Sequence, residues 1–197
     1  MERSLSLMRR ISRWGLWFGG ALVLLAAILI GVDVILRKFF TTSIGGADEL
    51  AGYALAIGTA WGLAATLLER AHIRIDTLYM LFSRSYRIIL DLFGLALFIF
   101  FFAMVAWHGS GVIMQSWASG SRSQSALQIP TVIPQLIWII GLLLFVLVGA
   151  TLFLDALVKL KRGDRAGISR TIGIRSAEED VEEEVAALKR RQRMENA

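Results

Sequence analysis

Few residues in this 197-residue chain are able to do chemistry, and their spacing decides what that chemistry is. Asp33 and Arg37 stand four apart, so on a helix they share a face and pair. Asp48 and Glu49 open a later apolar stretch, at the end of a helix where carboxylates are favoured. With Arg37 and Lys38 they form a compact charged cluster. It reads either as capping and surface pairing or as a contact point for another protein. His72 and Asp76 are a second pair spaced by four, in a segment from Ala71 to Tyr79 where polar and apolar residues alternate. If that segment is helical they share a face, order it and offer a contact to a partner; otherwise it is a solvated loop.

Other chemistries fail on residue type or position. A bis-histidine haem needs two imidazoles at similar depth, but His72 precedes the third apolar window and His108 lies near its far end. No His/His or His/Glu pair has metal-ligand spacing. The chain has no cysteine, which excludes disulfides, thiolate metal sites and a cysteine nucleophile. No nucleophile–base pair, glycine-rich phosphate loop or embedded carboxylate relay is present. The expectation is a protein with no catalytic residue, no metal and no cofactor.

The elements holding these residues are unusually apolar. Hydrophobic residues make up 56% of the chain and charged ones 19%, against about 45–50% and about 25% in an average soluble domain. Crossing a bilayer core takes roughly 20 apolar residues in a helix. Four windows qualify: Trp14 to Val32, Leu50 to Leu68, Leu92 to Ser121, and Ser123 to Leu154, with Pro130 and Pro134 marking where the last helix begins. The implied fold is all-α, with spans of about 14–36, 48–69, 87–110 and 131–157. Arg9, Arg10 and Arg13 before the first window resemble the basic head of a signal peptide. The apolar run is longer than the roughly 7–15 residues of such a segment, however, and no cleavage site precedes Arg37, so a retained helix is expected.

Lysine and arginine set the expected orientation. Placing the N-terminus, the second loop and the tail in the cytoplasm puts 18 of the 21 basic residues inside and leaves Arg37, Lys38 and Arg122 outside. The formal charge of +5 is then mostly topology, and nucleic-acid binding is not expected. Residues 1–13 form the cytoplasmic entry, where Ser4 to Arg13 suggests a short surface helix with Leu5, Leu7, Met8 and Ile11 on its apolar side. Residues 161–197 form a charged tail. Within it Ser176 to Met194 reads as a helix, solvated rather than docked, with an acidic start and a basic end.

The second window is rich in small residues. Gly52, Ala56, Ala60 and Ala64 recur every fourth position, and Gly58 and Gly62 add a second row. Small residues let helix backbones approach closely in lipid, so this helix is expected to be buried against protein. The alternative is the ordinary tolerance of Ala and Gly in membrane helices. Gly15 and Gly19 make a weaker match in the first window. Trp14, Trp17, Tyr79, Trp107 and Trp117 fall near span ends, as an aromatic belt requires, whereas Trp61 sits near the middle of its span.

In order along the chain, these features resemble a known family. Asp33 and Arg37 end the first span and Arg37-Lys38-Phe39-Phe40 follows; Asp48-Glu49-Leu50 opens the second. Trp61-Gly62-Leu63-Ala64-Ala65 leads into Glu69-Arg70-Ala71-His72-Ile73-Arg74-Ile75-Asp76, and Pro134 to Trp138 with Gly141 starts the last helix. Over roughly residues 10–162 the chain resembles the small membrane subunit, the Q-type (DctQ-type) small permease, of tripartite ATP-independent periplasmic (TRAP) transporters. Thr41 to Gly46 departs from the more aromatic stretch expected there, and the tail after Gly167 exceeds the usual subunit.

The resemblance implies a multi-pass protein of the bacterial inner membrane. Its partners would be a large (M-type) permease subunit that holds the substrate and sodium sites, a periplasmic substrate-binding protein, and membrane lipid. The small subunit would be a non-catalytic scaffold, and a sodium gradient rather than ATP would drive organic acid uptake. Its candidate structural and partner-contact residues are Asp33, Arg37, Asp48, Glu49, Gly58, Trp61, Gly62, His72, Asp76 and Pro134. The competing reading is an independent four-helix channel or membrane enzyme. That protein would need a polar lining, yet the span interiors are apolar apart from Thr59 and Thr66.

Overall fold

A run of apolar residues in lipid must satisfy its backbone hydrogen bonds within itself, and the α-helix does this for a single segment. The structure is a computed structural model that describes residues 2–70 and 82–173, together with residues 185, 188, 189 and 192. It contains α1 (Glu2–Phe40), α2 (Ala47–Leu68), α3 (Arg84–Ser119), α4 (Val132–Lys161) and a short α5 (Arg165–Ile172). The first four are long and apolar enough to cross a membrane, one for each window. No strand occurs among the described residues. An isolated bridge joins Arg122 to Pro130 in the α3–α4 loop.

The helices pack as a row rather than a closed ring. α1 lies along α2, α2 along α4 and α4 along α3, while α1 touches α4 only slightly. The two inner helices bury 39% of their most apolar windows and the two outer ones 17%. Large side chains such as Leu24, Leu25, Phe93 and Phe100 therefore stand more than half exposed on α1 and α3. In a bilayer that exposure is ordinary, because lipid tails are as apolar as leucine.

Two stretches differ from the sequence expectation. Residues 4–13 are not a separate surface helix but the first turns of α1. No proline or glycine interrupts the chain between them and Trp14, so nothing stops the helix from running on. The charged segment after residue 161 also begins with docked structure. Asp164 caps α5 by accepting a hydrogen bond from Gly167 N at 2.8 Å. Ile168 and Ile172 of α5 then join the core of Ile88, Leu95, Phe145, Val148, Leu152 and Ala156. Beyond α5, Val185, Leu188, Lys189 and Gln192 are helical and exposed, and the rest of the Ser176 to Met194 stretch lies outside the described residues.

The two prolines sit where a helix start tolerates them. Pro130 precedes α4, and Pro134 lies in its first turn, where its missing N–H breaks no bond. At the same end of the molecule the α1–α2 turn packs on the α3–α4 loop. Gly46 holds φ 106°, and a Cβ there would lie 2.6 Å from Leu127 Cδ1, so both conformation and space call for glycine.

Candidate functional site

For a helix row whose span interiors carry little chemistry, the informative geometry is where the helices approach each other and how their charged ends are held. The closest approach joins α1 to α2. A Cβ on Gly19 would lie 2.7 Å from the Gly58 carbonyl oxygen, and one on Gly58 would lie 2.9 Å from that of Gly19. Neither position accepts a side chain without the backbones moving apart. Such contacts gain dispersion energy that larger residues forbid. Gly62, expected to belong to the same close row, does not: its nearest neighbour would be Leu16 Cδ1 at 3.9 Å. The row Gly52-Ala56-Ala60-Ala64 is buried only in its second half, at Ala60 and Ala64.

Trp61 is the hinge-pin of the three-helix seam. It lies between Gly15 of α1 and Gly141 of α4, where a Cβ would come within 3.1 Å of Trp61 Cε3 and 2.8 Å of Trp61 Cδ1, respectively. Its indole Nε1 donates to the Ile137 carbonyl of α4 at 2.9 Å, and Phe18 meets the ring edge-on at 5.5 Å between centroids. An indole at mid-span needs a partner for its N–H, and here it finds one on a neighbouring helix. That explains why this tryptophan stands apart from those at the span ends.

Asp33 anchors the turn between α1 and α2. It is 2% exposed. Its Oδ1 accepts from Ile44 N at 2.7 Å and from Ser43 Oγ at 3.0 Å. Its Oδ2 pairs with Arg37 Nε at 2.6 Å. The carboxylate is thus satisfied by its own helix and by the returning loop, as a buried charge must be. Arg37 reaches on to Asp48 of α2 at 3.5 Å, but Asp48 is 81% exposed, so this second contact is weak. The expected Asp33–Arg37 pair is present; of the expected cluster only Asp48 joins it, since Lys38 Nζ lies over the Phe39 ring and Glu49 packs elsewhere, and Asp33 works mainly as a loop anchor.

Glu49 takes a different place. It lies among the hydroxyls of Ser125, Tyr53 and Ser123, while its buried Oε1 has no hydrogen-bond partner. The α3–α4 loop therefore folds over the start of α2. The loop is held by its own ladder: Ser123 N to Ile129 O at 2.9 Å and Thr131 N to Ser121 O at 3.1 Å. Pro134 is buried beside a cleft of about 230 Å³ lined by Tyr53, Ile57, Gln135 and Trp138. His72 and Asp76 lie outside the described residues. His108 is exposed on α3, and no group of three metal-ligating side chains occurs among the described residues.

Several residues that matter here lie outside the candidate contact residues read from the sequence. Ser43 and the Ile44 N–H matter through a loop return. Gly141 matters through Trp61, 80 positions away in sequence. Gly149, where a Cβ would lie 2.8 Å from Ile99 Cγ1, brings α4 against α3. Asp91 and Asp155, both buried, lie on α3 and α4; Asp155 pairs with Lys159 at 2.7 Å. The spacing of four between Asp155 and Lys159 was available as a signal for that pair.

The comparison with protein families agrees with this architecture. Residues 26–159 match the family described as the DctQ component of tripartite ATP-independent periplasmic transporters. No match is found among curated proteins or solved structures. The matched stretch runs from the middle of α1 to the end of α4 and contains Gly58, Trp61, the Trp61–Ile137 hydrogen bond and the Asp33 anchor, while the α1 partners Gly15, Phe18 and Gly19 precede it. With more than half its length matched, the chain belongs to the DctQ family, a transporter component and not an enzyme.

Proposed function

We propose that this chain is the non-catalytic scaffold of a sodium-coupled TRAP uptake system for organic acids. It braces the large permease while that subunit's transport domain moves. Members of the family work within tripartite transporters beside a large permease and a periplasmic binding protein. The observation that carries the scaffold reading is the seam through Trp61, where α1, α2 and α4 are locked by backbone approach and an interhelical hydrogen bond. A row so locked is suited to stay fixed, and its outer helices offer broad apolar faces to a partner and to lipid.

In this reading the protein spans the bacterial inner membrane with both ends in the cytoplasm. The Asp33, Arg37, Asp48 and Glu49 end then faces the periplasm, as the basic residues favour. His72 and Asp76 lie on the cytoplasmic side and contribute to the partner contact. Replacing both with Ala should lower recovery of the complex; unchanged assembly and uptake would remove them from the interface.

Reconstitution tests the whole proposal. Liposomes holding this chain, the large permease and the binding protein should accumulate a carboxylate substrate only under an inward sodium gradient. Liposomes holding this chain alone should show no flux. Flux through the chain alone, or full uptake without it, would overturn the scaffold role.

A further inference from the structure

At the end of the row that carries both termini, a pocket of about 390 Å³ opens between α1, α2, α4 and α5, within the roughly 300–1,000 Å³ of small-molecule sites. Its polar wall comprises Arg9, Ser12, Arg13, Glu69, Arg70, Asp155, Lys159 and Thr171. Four of these side chains are cationic and two are anionic, and Asp155 is paired with Lys159 at 2.7 Å. Lys159 Nζ also donates to Thr171 Oγ1 at 2.6 Å, and Arg70 donates to the Ser169 carbonyl at 3.4 Å. These contacts hold two cations in the wall. Arg9 and Arg13, one turn apart on α1, are exposed and pair with no carboxylate among the described residues.

Two further observations point to a ligand. Ser12, between those arginines, is 1% exposed, and its Oγ is buried with no hydrogen-bond partner. A buried hydroxyl without a partner is costly, and a bound oxyanion would supply one. On the other side, Arg9 and Arg13 also line a depression with Trp14 and Trp17, whose indoles are about three-quarters exposed. Exposed indoles beside basic residues are the chemistry of a membrane interface. Leu5, Arg9, Ser12, Arg13 and Thr171 all fall outside the family-matched residues 26–159.

We propose that this pocket binds a phosphate group carried by an anionic phospholipid. Arg9 and Arg13 neutralise the phosphate, Ser12 donates to one of its oxygens, and Trp14 and Trp17 lie along the glycerol and upper acyl chains. The site does not depend on the scaffold reading. A lipid held there would tie α5 and the first turns of α1 to the membrane surface.

Native mass spectrometry of the full chain, purified with whatever partners accompany it, reads this directly. Phosphatidylglycerol should bind at least about tenfold more tightly than phosphatidylcholine with the same acyl chains. The double variant Arg9→Gln/Arg13→Gln should weaken phosphatidylglycerol binding about thirtyfold and leave phosphatidylcholine unchanged. Ser12→Ala, a second variant that removes no charge, should weaken it by about threefold or more. Arg162→Gln removes an exposed charge at the same end of the row that lines neither the pocket nor the Trp14–Trp17 depression, and should change nothing. Displacement of the lipid by millimolar inorganic phosphate would mark a soluble phosphate as the ligand of the same site; resistance to it marks the lipid. Equal binding of the two lipids, or an Arg162→Gln loss equal to that of the double variant, would overturn the proposal.

Discussion

The two seams of the helix row are built on opposite principles. Between α1, α2 and α4, contact is made by the absence of side chains. Gly19 meets Gly58 backbone to backbone, and Gly15 and Gly141 leave space that Trp61 fills. Between α3 and α4, contact is made by side chains: the glycines there, Gly109 and Gly149, meet the side chains of Trp138 and Ile99 rather than backbone, and large rings fill the rest. Phe98, Phe102 and Phe145 meet edge-to-face with centroids 4.7 to 5.3 Å apart. The first seam fixes one geometry, because a backbone cannot choose another rotamer. The second fills volume with side chains that adjust, so it admits substitutes of similar size. The difference places rigidity at α2 and tolerance at α3.

Substitutions that challenge each seam should separate these principles, with stability read from helix loss during unfolding in mixed detergent and denaturing micelles. The largest effect is expected from Gly58→Leu, which forces α1 from α2. Overpacking of side chains costs about 1–3 kcal/mol, and here the obstacle is backbone, so a loss above about 3 kcal/mol is expected. Trp61→Ala should cost about 3 kcal/mol through lost volume between three helices. Trp61→Phe keeps most of the ring and removes only the bond to Ile137, worth about 0.6 kcal/mol in a bilayer setting. On the tolerant side, Phe102→Leu should stay below about 1.5 kcal/mol. Smallest of all, Leu24→Ala on the exposed face of α1 should fall within about 0.5 kcal/mol. If Phe102→Leu proved as damaging as Gly58→Leu, the contrast between the seams would fail.

The same contrast explains what could be read from the sequence. The four spans are local properties: uninterrupted hydropathy and charges at the ends fix them without tertiary information. The Asp33–Arg37 pair needed only a spacing of four. The small residues of α2 announced a buried helix, and Gly58 and Trp61 lie at its closest contacts. Which small residues count was not legible. Gly58 and Gly62 look alike in sequence, but only Gly58 faces another glycine. The Ile137 carbonyl that receives Trp61 lies 76 residues away, and Ser43 serves Asp33 only because the turn folds back. Docking of α5 was hidden because eight residues with two arginines resemble any solvated tail, until Ile168 and Ile172 meet the core.

A scaffold that owes its rigidity to the α1–α2–α4 seam should be stable as a row yet bound to something larger. Extraction in mild detergent, with the large permease gene co-expressed, measures this most directly. The two membrane proteins should elute together, Leu24→Ala should leave the row folded, and Gly58→Leu should abolish co-elution with the seam. A wild-type chain that folds and elutes alone, with the large permease present and folded in the same extract, would contradict the scaffold role.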